Sequence, residues 1–351
     1  MATRTIDFRR LAATASLAGL FCVVGACGKV PALRTVIDPD LTPPLLRTVE
    51  VPDRRSIAIT FSEPAVLEDG SLVIEPPLGL DGVAYDGARM LLSVAEQSSG
   101  AEYQLKAVVT DERGNGLGMT ARFHGHNGEV PALLITELTT RGTRTRPDRI
   151  ELVALSAGDL GGVTLFDGTP GNYRHRLVFP SIAVEPGDFI VIHCVSTGDP
   201  AEVDETASMT ESAHPQASED AWDLWLPEGE GLSGNNGVVS LYARPDGDVL
   251  DGVIYSDRTS ESDERYRGFG TRRVLERVDE LVAAGGWQVA GELARPEDAV
   301  DSNDTTSTRS MARGSDHADT DSRTDWHITP TRGATFGGLN TDEMFSRDAA
   351  R

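Results

Sequence analysis

The sequence predicts an all-β chain: two β-sandwich domains in tandem, the second carrying a helical insertion. Three observations predict it. Runs of alternating apolar and polar residues recur from Pro43 onward, broken roughly every ten residues by Asp-Gly, Gly-Asn or Pro turns, which is the texture of a sandwich rather than of a helical or α/β chain. A single stretch, TRRVLERVDELVAAGG, spaces its apolar residues as a helix does. The length, 351 residues, accommodates two domains at roughly 150 residues each.

The chain opens with Arg4, Arg9 and Arg10, continues with the apolar run LAATASLAGLFCVVGA, and reaches Cys27 and Gly28. A basic start, a short apolar stretch and small residues before a cleavage point describe an export signal, since the run is too short to span a bilayer comfortably. The ending Val24-Gly25-Ala26-Cys27 resembles the lipobox of bacterial lipoproteins. That resemblance implies removal of residues 1–26 and a diacylglycerol and an N-acyl chain, such as palmitate, on Cys27 as the sole cofactor-like group. Several acyl chains hold a protein stably at a membrane where one does not. Residues 27–42, with Pro31 and Pro39, read as a lipid-anchored tether.

Residues 43–126 form the first predicted sandwich. SIAITFSEP and SLVIEP alternate, GVAYDGARMLLSV reads as two strands turned at Asp86-Gly87, and YQLKAVVTDERGNGLG closes the pattern. The series, with Tyr103, Leu105, Ala107, Asp111, Gly114, Asn115 and Leu117, resembles the bacterial Ig-like domain of surface-layer proteins, which implies a spacer or adhesive module. Asp111, Gly114 and Asn115 themselves are turn formers.

From Pro131 a second series begins: ALLITEL, DRIELVALSAGDLGGVTLFDG, IAVEPGDFIVIHCV and NNGVVSLYARPDGDVLDGVIYSD, with Trp326, Pro330, Gly333 and Asn340 near its end. Order and spacing resemble the lamin-tail domain, another Ig-like sandwich, over residues 131–340. Two departures stand out: Arg149 replaces the family's tryptophan and Ala154 its asparagine. Segments 197–234 and 258–306 have no counterpart in that pattern and read as insertions, where sandwiches carry recognition. Within the second, Val274, Leu275, Val278, Leu281 and Val282 predict a helix stopped at Gly285-Gly286. Residues 341–351 form a C-terminal tail.

The formal charge is −23, and removal of residues 1–26, with three arginines and one aspartate, leaves −25. Such a field opposes binding to phosphate backbones, so no nucleic-acid partner is expected. Of the three cysteines, Cys22 leaves with the signal and Cys27 is acylated, so Cys194, inside DFIVIHCV, reads as a small buried hydrophobe. No hydrolase elbow, P-loop, HExxH or paired CxxC occurs. His124 and His126 share a strand face, but only Glu129 is near as a third ligand where structural zinc wants four, so this stretch reads as a solvated linker. DAVDSND at 298–304 lacks the glycine and distal glutamate of a calcium loop and reads as polar disorder. No metal is therefore expected. Glu137 and Glu151, flanked by apolar strand residues, read as structural hydrogen-bonding groups rather than an acid–base pair. Trp222 and Trp225, three apart, would share a face of a helical turn, either anchoring a partner or capping the sandwich.

These features point to a non-catalytic lipoprotein of the cell envelope, at the outer membrane because Gly28 is not the aspartate of the inner-membrane retention rule. It would scaffold an envelope protein or bind a surface ligand. The alternative is an exported metal-dependent hydrolase, or its accessory, of the nuclease or phosphoesterase type.

Overall fold

Each alternating run of the first half becomes a strand that turns its apolar side to one core. In EYQLKAVVT, Tyr103, Leu105, Ala107 and Val109 are buried while their neighbours look outward. The computed structural model of the protein describes residues 41–347. The signal, Cys27 and most of the tether lie outside the described residues, as do residues 348–351 of the tail.

The first unit contains β1 (Leu46–Asp53), β2 (Ser56–Phe61), β3 (Val66–Leu67), β4 (Val73–Glu75), β5 (Leu80–Asp86), β6 (Arg89–Val94), β7 (Glu102–Thr110) and β8 (Gly116–His124). One sheet runs β1-β2-β6-β5; in the other, β7 pairs with β8 along one edge and with β3 and β4 along the other. All these pairings are antiparallel, and the faces enclose Ile57, Ile59, Phe61, Met90, Leu92, Leu105 and Val109. The turn after β7 is closed by Asp111, whose Oδ1 accepts from the N–H groups of Arg113 and Asn115, both at 2.8 Å.

The second unit begins with β9 (Leu133–Leu138), β10 (Arg149–Ala154), β11 (Gly158–Asp159), β12 (Thr164–Thr169), β13 (Asn172–Val178), β14 (Ala183–Val184), β15 (Phe189–His193) and β16 (Ala221–Trp225). It continues with β17 (Asn236–Tyr242), β18 (Val249–Ser256), α1 (Arg272–Ala283), β19 (Val300–Asp301), β20 (Met311–Arg313) and β21 (Trp326–Ile328). A six-stranded sheet, β16-β15-β10-β9-β20-β21, packs on a five-stranded sheet, β13-β12-β17-β18-β19, over a core of Ile135, Leu152, Leu165, Ile190, Leu241, Val253 and their neighbours. The protein is thus an all-β pair of tandem sandwiches.

Both segments expected as insertions contribute structure. The helix forms where its spacing predicted it: Thr271 Oγ1 caps it by accepting from Val274 N–H at 3.2 Å, and Val278 and Leu281 are fully buried. Gly285, at φ +84°, ends it in the left-handed conformation that favours glycine. DAVDSND is ordered rather than disordered: Val300 pairs with Tyr255 in β18, and Asp304 meets Arg347 at 3.0 Å. Segment 197–234 is more than a loop, because β16 joins the six-stranded sheet parallel to β15.

The stretch around His124 and His126, expected as a solvated linker, becomes with the residues up to Pro131 a wedge between the units. Asn127 Nδ2 donates to the carbonyls of Asp159 at 2.6 Å and Gly161 at 2.8 Å. Gly100 lies flat on Gly161 and Gly162, where a Cβ would come within 2.0 Å of Gly162 N. Buried Gly125 and half-buried His126 replace the solvated linker expected from composition, since two backbones meeting this closely exclude water.

Candidate functional site

Strands β9, β10 and β15 are buried on both faces, which a sandwich does not require of its outer face. The extra cover comes from two chain segments, one around 205–218 and one around 335–340. Under them lies a row of polar side chains. Glu137 and Glu151 stand opposite each other on β9 and β10, both without solvent exposure. Glu137 accepts from the Ser310 hydroxyl and from Thr335 N–H at 2.9 Å. Glu151 accepts from the Thr136 hydroxyl at 2.7 Å and from Gly337 N–H at 2.6 Å. Burial, then the neighbouring Glu137 charge, pushes Glu151 up to about 8; burial raises Glu137 too. Arg149 puts its guanidinium 4.1 Å from the centre of the Phe336 ring, which ties the outer face of β10 to the covering segment. Asn340 completes the strap, donating to the carbonyls of Thr136 at 3.0 Å and Arg313 at 3.2 Å.

Further along the same face, His193 Nε2 lies 2.5 Å from Asp223 Oδ1, and the His193 ring stacks on Trp225 at 4.4 Å with His214 against the Trp225 edge. Glu205 accepts from Asp223 N–H at 2.9 Å, and Ser218 N–H donates to Asp223 Oδ2 at 2.7 Å. Burial lowers the His193 pKa against the opposing pull of Asp223, and its Nδ1 is buried with no partner among the described residues.

Trp222 and Trp225 do not share a face. They lie on a strand, where an odd offset points them apart: Trp222 packs half-buried against the sandwich core, and Trp225 is buried beneath the outer cover. The helical turn assumed for them fails because β16 is recruited by parallel pairing with β15, a long-range contact that local spacing cannot announce. Cys194 is buried in the core, and burial raises its thiol far above the ordinary range. His193, Asp223 and Glu205 were not singled out in the sequence; the nearest signal was the apolar run around His193.

A third polar group surrounds Arg313, which is fully buried. It meets Asp251 at 3.1 Å, Asp319 at 2.8 Å and Asp325 at 3.2 Å, and lies over the Trp326 ring. Asp251, Asp319 and Asp321 could bring three carboxylate oxygens together, but the guanidinium already occupies the place of a cation. His124 and His126 join no such group among the described residues. They instead line a cleft of about 610 Å³ between the sandwiches, together with Arg89, Arg122 and Arg244.

The fold and these groups define a tandem β-sandwich protein with a sealed polar layer and an open cleft between its units. The chain belongs to the TP_1001_2nd family, described as a protein second domain, whose profile matches residues 131–328. It is also similar to an uncharacterized protein of Treponema pallidum (strain Nichols), at 30% identity over 134 residues, 38% of this chain and 34% of that protein. The chain thus spans about a third of the length of the curated relative it matches.

Proposed function

We propose that this protein is a lipid-anchored component of the cell envelope that acts without catalysis, as a scaffold or ligand-binding module. Cys27 is the acylated residue, the first sandwich is an Ig-like spacer and the second a lamin-tail-like binding domain. The observation that carries this reading is the state of the two carboxylates best suited to acid–base work: Glu137 and Glu151 are sealed beneath residues 335–340, with all four oxygens accepting hydrogen bonds. A general acid or base must reach a substrate proton, and neither can while the strap is in place. No helix among the described residues is long and apolar enough to cross a membrane.

The test is metabolic labelling with an alkyne-tagged fatty acid in cells expressing the wild type or Cys27→Ser, followed by protease treatment of intact cells beside a periplasmic control. Label on the wild type alone is expected, and loss to protease would place the sandwiches on the cell surface rather than in the periplasm. An unlabelled wild type sinks the anchor. Nuclease or phosphoesterase turnover that survives repurification and vanishes on a point substitution sinks the non-catalytic role.

A further inference from the structure

The cleft between the sandwiches is preformed, because the Asn127 clamp and the Gly100–Gly162 contact fix its two walls. Its charge runs against that of the whole molecule: Arg89, Arg122, Arg244, His124 and His126 face Glu50 and Asp246, in a chain of net charge −23. Those cations are also available. Neither the Arg89 guanidinium nor the His124 ring makes a hydrogen bond or ion pair with the described residues. Among the described residues Arg122 pairs only with Glu102 and Arg244 only with Asp246, each at 3.4 Å between exposed side chains, and water-screened pairs of this kind are readily exchanged. His126 uses Nδ1 on the Val51 carbonyl, at 3.2 Å, and keeps Nε2.

Three arginines on the walls of one rigid cleft suit a tetrahedral oxyanion, since each guanidinium presents a planar fork of donors. The surrounding negative field repels an extended polyanion but is overcome locally by a small one. We propose that the inter-unit cleft binds a compact phosphorylated ligand through Arg89, Arg122 and Arg244. The proposal rests on reading the chain as a binding module and supplies that module's ligand chemistry. A phosphorylated sugar and a phospholipid headgroup share this chemistry.

The full chain in detergent is titrated calorimetrically with inorganic pyrophosphate, then with glucose 6-phosphate and with glycerophosphoglycerol as a headgroup. Saturable pyrophosphate binding is expected, at least about tenfold weaker in Arg122→Ala/Arg244→Ala and unchanged in Arg272→Ala, an exposed arginine on α1. In the wild type, pyrophosphate should also protect Arg89, Arg122 and Arg244 from phenylglyoxal, a readout that needs no variant. Preference for the sugar phosphate or for the headgroup then identifies the source. Absence of saturable heat and of protection, or equal affinity in the double variant, overturns the proposal. Fatty-acid labelling of Cys27 is read separately, so failure here is distinguishable from failure of the anchored-module reading.

Discussion

Glu151 and Glu137 occupy directly opposed positions on β10 and β9, so two carboxylates share one dry site and titrate as a pair. Glu151, at about 8 in the folded protein against 4.5 ordinarily, binds its proton more tightly folded than unfolded. The folded state therefore holds the extra proton between those values, and stability falls as pH rises through the window. Glu151→Gln removes this loss: its amide oxygen can accept from Gly337 N–H as the carboxyl does, and its NH2 can donate to Thr136 Oγ1 once that hydroxyl, which donates to the carboxyl in the wild type, turns to the main-chain carbonyl of residue 151, 3.4 Å away. Denaturant unfolding should show the variant gaining on the wild type from pH 4.5 to pH 8, by up to a few kcal/mol, with a constant difference beyond. A difference that does not change with pH would mean Glu151 is ionised without penalty. The carboxylates themselves were legible in the sequence because charged residues inside apolar strand runs stand out. Their seal was not, since Thr335 and Gly337 lie nearly 200 residues away in the chain.

Among the elements, α1 was the easiest to read. Its five apolar residues fall on one face, and the structure lays that face on β12 and β17, where Leu281 packs against Gly252 of β18. A side chain on Gly252 would displace Leu281, so the helix sits close to the sheet and Leu281 has little room to be replaced by relaxation. Leu281→Ala should cost about 2–5 kcal/mol, measured by denaturant unfolding, because the emptied volume lies against a rigid sheet. A cost below about 1 kcal/mol would show that the helix adjusts to refill the cavity. β16 shows the opposite case. AWDLW alternates weakly, and its strand conformation depends on the parallel ladder with β15, so Trp222 and Trp225 were assigned to one face when the strand separates them. Similarly, Arg149 and Glu151 on the outer face of β10 and His193 on that of β15 gave no hint that chain segments from two distant regions would cover them.

At the scale of the whole molecule, two separate cores are joined by a small contact whose chemistry is almost entirely backbone. The core of the first sandwich is the smaller of the two, so docking against the second should contribute a larger share of its stability. Gly100 is the point of closest approach: a Cβ there would sit 2.0 Å from Gly162 N and 2.3 Å from the Gly161 carbonyl carbon, and backbone cannot move aside as a flexible side chain can. Gly100→Ala should push the units apart while leaving both cores filled. Gly87→Ala is the matched control, because Gly87 also has positive φ, +56° against +68°, but has nothing within 4 Å of an added Cβ. Both variants carry the strain of alanine in the left-handed region, about 1 kcal/mol, so only the clash differs between them. Calorimetry should resolve an earlier transition for the first sandwich in Gly100→Ala alone, and protease should cut the 125–131 segment faster in that variant. If the two substitutions behave alike, the docking is carried by the Asn127 clamp rather than by the glycine contact. Asn127→Ala should then give the early transition instead, because it removes both hydrogen bonds to the second unit without placing an atom between the two backbones.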